Sequence, residues 1–335
     1  MNKPRATIKD IAVATGFSAN TVSLALRGSD RLPEETRTRI LMEAERLNYY
    51  PNRIARSLVH SATRTIGLVL TDIMNPTLTL AARTIERELA AAGYAMMFAA
   101  SDSNVDNEMG AMELFRSYQV DGMLVYPASH KQYQHIKAVS ESGIPVLLLV
   151  DLPEAALDTV AVDDRLGAFK AFMHLFERGH RNIAMLDGGR SLGNTDKMQG
   201  AMRAVHEAGL RPDAISVFEP RGHSAAHGFA AMQDIMNCDL RPTALFASTD
   251  TLAIGALHWC RRNNIAIPEQ MAVMGYDNTG FSEFGYRPLT TVNYAADEIS
   301  RIGVDRILRR IENREITNGP EKRLIEPDLV VRETT

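Results

Sequence analysis

Asparagine and hydroxyl side chains cluster in residues 18–24, where they could hydrogen-bond to DNA. If this stretch is helical, its 3.6-residue period turns Val22, Ala25 and Leu26 inward. The residues left facing outward are Ala19, Asn20, Thr21, Ser23 and Leu24. An asparagine side chain can bond two atoms of one adenine, and serine or threonine can reach bases or phosphates. The pattern predicts a DNA-reading helix; a small helical bundle that binds nothing is the alternative.

Two further short helices would hold this one in place. Thr7 and Asp10 have the spacing of a helix capping box, with aspartate in place of the usual glutamate. Ser18 can cap the second helix, and Pro33 can open a third that runs to about Leu47. Two short helices joined by a glycine-containing turn, with a supporting third, form a helix-turn-helix. In that motif the second helix enters the major groove.

The charge distribution supports an anion-binding N-terminal segment. The whole chain of 335 residues has a net charge of -4. Residues 1–64 hold 11 basic and 6 acidic residues, a net charge of +5, so the remainder carries −9. A small basic module on an acidic body is compatible with nucleic-acid binding despite the acidic total.

The composition excludes several other classes of protein. Hydrophobic residues make up 45% of the chain and charged residues 23%, which is typical of globular proteins and not of disordered or fibrous ones. No run of 18 apolar residues could span a membrane, and the N-terminus lacks the apolar segment of an export signal. The two cysteines, Cys238 and Cys260, do not suit a disulfide framework or a cysteine-rich zinc site.

From Arg64 onward, apolar runs alternate with stretches of helical periodicity. Residues 66–70 are predicted as a buried strand and residues 80–92 as a helix, and the same alternation repeats after about Asp163. Such βαβ periodicity predicts open parallel sheets covered by helices. Ligands of these sheets bind beyond the carboxyl ends of the strands, which selects the loops that follow each strand.

The motifs occur in an order that resembles one known family. The runs TIKDIAVATGFSANTVSLALRG and PEETRTRILMEAERLNYYPNRIARSL resemble the LacI/GalR family of bacterial transcription regulators. The resemblance continues through TRTIGLVLTDIMNP, VDGMLV, RGHRNIAML, PTALFASTDTLAIGAL, IPEQMAVMGYDN, PLTTV and LVVRET. So many motifs in register, over nearly the whole chain, are very specific. Within the family, TVSLALRG is similar to the maltose-system regulator branch.

The resemblance implies a small all-α helix-turn-helix head and an α/β body like a periplasmic binding protein, with two open parallel-sheet lobes. The implied domains are a DNA-binding head at 1–49, a hinge helix or linker at 50–63, and an effector-binding and dimerisation body at 64–335. The chain would cross between the lobes near residues 162, 290 and 325. The implied lobes are about 64–162 with 293–325 for the first, and about 163–290 for the second.

The resemblance also implies DNA contacts outside the recognition helix. A hinge helix would order on DNA and enter the minor groove, with Leu58 as the apolar wedge that unstacks a base step. Ala55 would approach the partner chain, and Asn52 and Arg56 would contact base edges or backbone; a plain basic linker is the alternative. The expected phosphate contacts are Thr7, Ser18 and Arg37.

An effector between the lobes is the third implication. Asp277 matches the family carboxylate that accepts hydrogen bonds from sugar or ribose hydroxyls, with a helix cap or turn residue as the alternative. Lys197 stands where the family usually has arginine, and a lysine cannot make the planar two-point contact of a guanidinium. His223 matches a position where some members stack an aromatic ring on the ligand. The remaining expected contacts are Asp72, Asn75, Thr77, Leu78, Tyr126, Asp151 and Thr249.

Several other signals predict structure and not chemistry. The glycines at 188 and 189 follow a strand but lack the spacing of a dinucleotide or P-loop motif, so phosphate binding is not expected. His174 and His180 have poor spacing for a metal, and Asp250 is expected to cap a helix at 251–262. No Ser-His-Asp or Cys-His arrangement is recognisable, so neither an enzyme nor a cofactor is expected.

The prediction is a cytoplasmic repressor, nucleoid-associated when bound, that represses a carbohydrate-utilisation operon under the control of a small effector, most commonly a sugar in this family. A homodimer would read a pseudo-palindromic operator. Leu24 replaces the arginine common in the family, which predicts an operator that differs in its outer half-site bases. The chain ends without a heptad segment, which predicts no tetramer. The alternatives are a repressor dependent on a purine or nucleoside corepressor, a ligand-binding protein without DNA function, or an α/β enzyme.

Overall fold

The computed structural model describes residues 6–26, 28–49, 62–237, 241–312 and 319–335. The chain divides into two compact units, Met1–Thr63 and Arg64–Thr335. The first unit is a helical head, and the second is a two-lobed α/β body. No described helix is long and apolar enough to cross a membrane.

Three short helices form the head. They are α1 Ile8–Thr15, α2 Ala19–Leu26 and α3 Glu34–Arg46. The predicted capping box is confirmed: the Thr7 backbone N–H donates to the Asp10 carboxylate at 2.7 Å, and the Thr7 hydroxyl accepts from the Asp10 N–H at 3.4 Å. Gly16 ends α1 in the left-handed region at φ 76°. The core of the head consists of Ile11, Val22, Ala25, Ile40 and Ala44.

The body contains two six-stranded sheets, one in each lobe. The first sheet comprises β1 Thr65–Leu70, β2 Ala95–Ala100, β3 Gly122–Val125, β4 Val146–Leu148, β5 Asp158–Val162 and β11 Lys322–Ile325. The second comprises β6 Ile183–Leu186, β7 Ile215–Phe218, β8 Ala244–Ala247, β9 Ala272–Asp277, β10 Thr290–Asn293 and β12 Leu329–Val330. The strand orders are β11-β5-β4-β3-β1-β2 and β12-β10-β9-β8-β6-β7. Every pairing is parallel except that of β10 with β12.

Helices cover both faces of each sheet. Those of the first lobe are α4 Pro76–Ala91, α5 Val105–Ser117, α6 Gln134–Glu141 and α13 Ala296–Ile311. Those of the second lobe are α7 Asp164–Glu177, α8 Gly189–Leu192, α9 Asp196–Glu207, α10 Ala225–Asn237, α11 Asp250–Arg262 and α12 Gly280–Phe284. Side chains of β1 enter the cores on opposite faces, Leu68 on one and Val69 on the other. Burial on both faces explains why the strands are nearly continuous apolar runs.

The sequence prediction missed β5, β10, β11, β12, the short helices α6, α8 and α12, and the long helix α13. In β10, two buried threonines replace the expected apolar residues. They are hydrogen-bonded, since Thr290 N–H donates to the Thr334 hydroxyl at 2.9 Å and the Thr291 hydroxyl donates to Asp250 at 2.5 Å. Because β10 belongs to the second sheet, the chain crosses between the lobes at residues 294–295 and not near 290 as predicted.

Two helices of the second lobe approach each other at glycines. A Cβ built on Gly255 of α11 would overlap the carbonyl oxygen of Ala225 in α10 and lie 2.7 Å from the backbone nitrogen of Phe229. In α10, Gly228 faces the Leu252 carbonyl in the same way. The two backbones therefore touch where neither residue has a side chain.

We expect Gly255→Ala to destabilise the body by about 2 kcal/mol, because the added methyl meets rigid backbone and forces the helices apart. Gly110→Ala is the matched control, since a Cβ on this glycine of α5 would meet nothing within 4 Å. It should stabilise by up to about 1 kcal/mol through helix propensity alone. Urea denaturation followed by circular dichroism measures both, and equal effects of the two substitutions would contradict the close-approach explanation.

Candidate functional site

The N-terminal end of α2 presents polar groups to solvent. Ser18 caps the helix, since its hydroxyl accepts from the Thr21 N–H at 3.1 Å. Ala19 and Asn20 are exposed in the first turn, whereas Val22 is fully buried on the opposite side. Thr21, Ser23 and Leu24, the rest of the predicted contact face, are partly exposed. The helix therefore offers the predicted face to solvent and fixes it through its buried face.

Thr7 and Arg37, the other predicted DNA contacts in the head, already have intramolecular partners. The Thr7 hydroxyl lies 2.7 Å from the Asp10 carboxylate, and Arg37 Nη2 lies 2.6 Å from Glu34 Oε2. Both pairs are exposed to solvent, where such contacts exchange readily for a phosphate. The predicted hinge contacts Asn52, Ala55, Arg56 and Leu58 lie outside the described residues.

A cleft lies where the carboxyl ends of the two parallel sheets meet. Its cavity has a volume of about 200 Å³ and is lined by residues of both lobes. Nine of the ten predicted effector contacts line it: Asp72, Asn75, Thr77, Leu78, Tyr126, Lys197, His223, Thr249 and Asp277. The residues expected from the rule that ligands bind beyond the carboxyl ends of the strands therefore lie close together in the folded body.

Asp151, the tenth predicted contact, lies outside the lining of this cleft. Its carboxylate oxygen Oδ2 forms an ion pair with Lys322 Nζ at 2.7 Å, and the residue lines a smaller neighbouring cavity. The strand β4 ends at Leu148, so Asp151 follows the strand end by three residues. That distance along the loop carries the side chain past the cleft.

Lys197 lies among carboxylates at the centre of the cleft. Its Nζ is 3.0 Å from Asp164 Oδ1 and 4.2 Å from the centre of the Tyr276 ring. Burial lowers the pKa of Lys197, but the negative charges of Asp164, Asp187 and Asp277 outweigh burial and raise it overall. The lysine therefore stays charged, and its ammonium group is already held by the protein.

Asp277 ends β9 with an unusual backbone conformation. Its φ is 116°, a region that side-chain-bearing residues rarely occupy. Burial raises the pKa of Asp277 well above its ordinary value, the charge of Asp250 raises it further, and the charge of Lys197 opposes both. A buried carboxyl group of this kind gains most when a ligand supplies hydrogen-bond donors to it.

The loop after β9 is anchored by Asp250, which was expected to cap a helix. That expectation is wrong: Thr249 is the N-cap of α11, and its hydroxyl accepts from the Leu252 N–H at 3.3 Å. Asp250 is fully buried and accepts from the Thr279 N–H at 2.7 Å and from the Thr291 hydroxyl at 2.5 Å. Burial raises the pKa of Asp250 to about 6. The side chain thereby fixes the loop that carries Asp277.

Several residues of the cleft were missed by the sequence prediction. They are Thr71, Ser103, Pro127, His130, Val150, Asp164, Asp187, Gly188, Gly189, Leu192, Asn194, Ser248 and Tyr294. Asp187 could have been found, because it directly follows β6. Its carboxylate accepts from the Gly189 N–H at 3.2 Å, so this glycine loop already holds a negative charge. A negative charge at this position disfavours a bound phosphate.

The lining as a whole is acidic and rich in hydrogen-bonding groups. Among the described residues that form it are four carboxylates, from Asp72, Asp164, Asp187 and Asp277, and one lysine but no arginine. Within the described part of the chain, no three histidine, cysteine or acidic side chains are grouped so that they could hold a metal ion. Such a cleft can bind hydroxyl groups through many hydrogen bonds.

Comparisons with known proteins identify two regions of the chain. Residues 7–52 match the model of the bacterial regulatory proteins of the lacI family, and residues 172–335 match that of the periplasmic binding protein-like domain. The HTH-type transcriptional regulator DegA of Bacillus subtilis (strain 168) is 30% identical, over 99% of this chain and 98% of that protein.

Two solved structures have a similar fold. One is the Lac repressor dimer bound to operator and the anti-inducer ONPF, at TM-score 0.88 and 24% identity over 99% of each chain. The other is the transcriptional regulator CelR–cellobiose complex, at TM-score 0.72 and 26% identity over 99% of this chain and 100% of that one. With a recognition helix, a two-lobed body and a relative matched over nearly its full length, the chain belongs to the lacI family of bacterial regulatory proteins and is a DNA-binding transcriptional regulator, not an enzyme.

Proposed function

We propose that this regulator represses genes for the use of a carbohydrate and that a sugar bound in the cleft controls its hold on DNA. The observation that carries the proposal is that one chain combines an exposed polar recognition helix with a hydroxyl-binding cleft in a separate unit. Two sites of this kind allow binding at one to be coupled to binding at the other.

The DNA contacts divide into those that read bases and those that bind phosphates. Asn20, Ser23 and Leu24 would discriminate bases from the major groove, with Ala19 and Thr21 beside them. Thr7, Ser18 and Arg37 would bind phosphates, and Asn52, Ala55, Arg56 and Leu58 would occupy the minor groove. Leu24 presents a methyl-bearing apolar group, which favours contact with thymine over guanine.

The charges of the cleft favour a ligand that is neutral or positively charged. The four carboxylates and single lysine of the lining give a net negative field, and the lysine ammonium is already paired with Asp164. Among the described residues of the lining, a phosphate or carboxylate group would meet these negative charges and one lysine that is already paired, whereas hydroxyls can donate to the carboxylates. The CelR relative in complex with cellobiose supports a neutral sugar as the effector of this chain as well.

Exposed apolar side chains on both lobes support a homodimer. Phe98 is exposed on β2, an uncharged strand at the edge of the first sheet. In the second lobe, Phe281 and Phe284 of α12 are 66% and 83% exposed. Uncharged edge strands and exposed aromatic groups mark surfaces that associate with another chain. A twofold dimer would set two recognition helices on a pseudo-palindromic operator in the cytoplasm, with the protein nucleoid-associated when bound.

Asn20→Ala should weaken binding to the selected operator by about 10- to 100-fold and leave binding to shuffled DNA almost unchanged, because a base contact and not a phosphate contact is lost. The operator is first selected from a random DNA pool, and affinities are measured by fluorescence anisotropy at one salt concentration. Met42→Ala, an exposed neutral position of α3, is the control. An equal loss on operator and shuffled DNA would contradict base reading by Asn20.

A thermal-shift screen should show stabilisation by neutral or amino sugars and none by sugar phosphates, since a ligand that binds the native state raises the melting temperature. Asp277→Ala should abolish the shift given by the best sugar. Asp213→Ala removes the same type of side chain at an exposed position and should leave the shift intact. Stabilisation by a sugar phosphate would refute the charge argument; stabilisation by nucleosides alone would favour a nucleoside effector.

Phe281→Glu combined with Phe98→Glu should convert the dimer to a monomer in sedimentation experiments, because both charges would be buried without partners at the interface. Val331→Glu is the control, since Val331 is 48% exposed in the second lobe and lies beyond the end of β12, outside both the edge strands and α12. The double variant should also lose most of its operator affinity. A stable dimer of the double variant would place the interface elsewhere.

A further inference from the structure

We propose that Glu108 and His135 form a buried pair that positions the loop closing the cleft, although neither residue lines the cleft. This loop, residues 126–131, will be called the closing loop. It follows β3 in the first lobe and contributes Tyr126, Pro127 and His130 to the lining. The inference deepens the proposed function, because it rests on the cleft being the effector site.

Glu108 is a fully buried carboxylate in the first turn of α5. Its Oε2 accepts from the backbone N–H of Ala128 at 2.7 Å, and its Oε1 lies 2.6 Å from Nε2 of His135. His135 belongs to α6, and its side chain is 14% exposed. One side chain therefore connects α5, the closing loop and α6.

A buried backbone N–H needs an acceptor, and here the acceptor comes from outside the loop. Ala128 is 2% exposed, so its N–H would lose a hydrogen bond without Glu108. The positive end of the α5 dipole and the imidazole of His135 both favour the carboxylate at this place. These interactions offset the desolvation cost of the Glu108 carboxylate, and the hydrogen bond to Ala128 fixes the first half of the closing loop.

The second half of the closing loop reaches the other lobe. Ser129 closes a local turn by accepting from Lys131 N–H at 3.1 Å. The His130 N–H then donates to the carbonyl oxygen of Leu192 at 2.9 Å. Outside the three segments that cross between the lobes, it is the only backbone hydrogen bond from one lobe to the other among the described residues.

Close packing beside this hydrogen bond makes its geometry demanding. Gly193 follows Leu192 with φ 85°, and a Cβ on it would lie 2.7 Å from Cγ of Lys131. The two loops are therefore in close contact at a residue without a side chain. Because Ala128 is two residues from His130, the hydrogen bond that Ala128 N–H donates to Glu108 sets where His130 meets Leu192. Displacing the loop would favour an open cleft. Because the effector binds the closed form, its apparent affinity would fall in proportion to the fraction of molecules that are closed.

The test compares Glu108→Ala with Glu108→Gln in the full chain without any ligand. Hydrogen exchange at the amides of Ala128 and His130 should accelerate about tenfold or more in Glu108→Ala, because the acceptor is gone and the loop opens. Glu108→Gln keeps an acceptor for Ala128 and should rescue most of the protection. Glu141→Gln, an exposed position of α6, is the matched control.

A second readout measures closure itself. Spin labels at Gln132 and Arg190, which are exposed in the two lobes, report the width of the cleft mouth once Cys238 and Cys260 are replaced by serine and alanine. Glu108→Ala should lengthen or broaden the distance distribution, and Glu108→Gln should resemble the parent. If Glu108→Ala does not fold, His135→Phe, which removes the second partner of the carboxylate, is measured in the same way.

Unchanged exchange and unchanged distances in the folded variant would overturn the proposal. Equal acceleration at core amides such as that of Leu68 would overturn it too, because it would show a role in global stability alone. Both readouts use the ligand-free protein. Failure of every sugar in the thermal-shift screen would therefore count against the proposed effector and leave the result for the closing loop intact.

Discussion

Burial of several carboxylates in one cleft is the constraint on which the rest of the body depends. Parallel strands of two sheets direct their carboxyl ends to the same place, and the chain puts acidic residues in the loops that follow. Each buried charge needs compensation to be tolerated. Asp164 forms an ion pair with Lys197, and Asp187 accepts a hydrogen bond from a backbone N–H. Asp250 accepts hydrogen bonds from the Thr279 N–H and the Thr291 hydroxyl.

Asp277 is the carboxyl group of the cleft whose pKa is raised most clearly, and this property relates structure to function. The residue is half-buried, its backbone occupies a rare conformation, and its pKa is raised by desolvation and by the charge of Asp250. The strained backbone at Asp277 persists because Asp250 accepts hydrogen bonds from the N–H and hydroxyl of Thr279 and so holds the loop that follows β9. A ligand that supplies hydroxyl donors would relieve a cost that the folded protein carries without it.

A second buried carboxylate, that of Glu108, is stabilised in the same way outside the lining of the cleft. Glu108 is buried with both carboxylate oxygens occupied, one by the closing loop and one by His135. Charges inside this body therefore serve to hold loops at defined positions, and the loops in turn form the cleft. In the head, by contrast, the recognition face lies at the surface, where its polar side chains are accessible to DNA.

Local patterns determined much of this protein. The capping box at Thr7, the inward Val22 and Ala25 of α2 and most strand and helix positions follow from periodicity and turn chemistry, which depend on near neighbours in the chain. Family motifs added nine of the residues that line the cleft. The missed elements, such as β10 with its buried threonines, have polar residues whose partners lie far away in sequence.

What the tertiary structure alone decided is which polar groups meet across such distances. Asp250 looks like a helix cap in the sequence, yet its partners Thr279 and Thr291 lie 29 and 41 residues away. Asp151 pairs with Lys322 outside the cleft. Glu108 contacts His135 because the helices α5 and α6 pack on either side of the closing loop. A residue's type and local spacing determine the helix or strand it joins. The charge and hydrogen bonds of a site arise only when the folded chain brings separate loops together and excludes water from them.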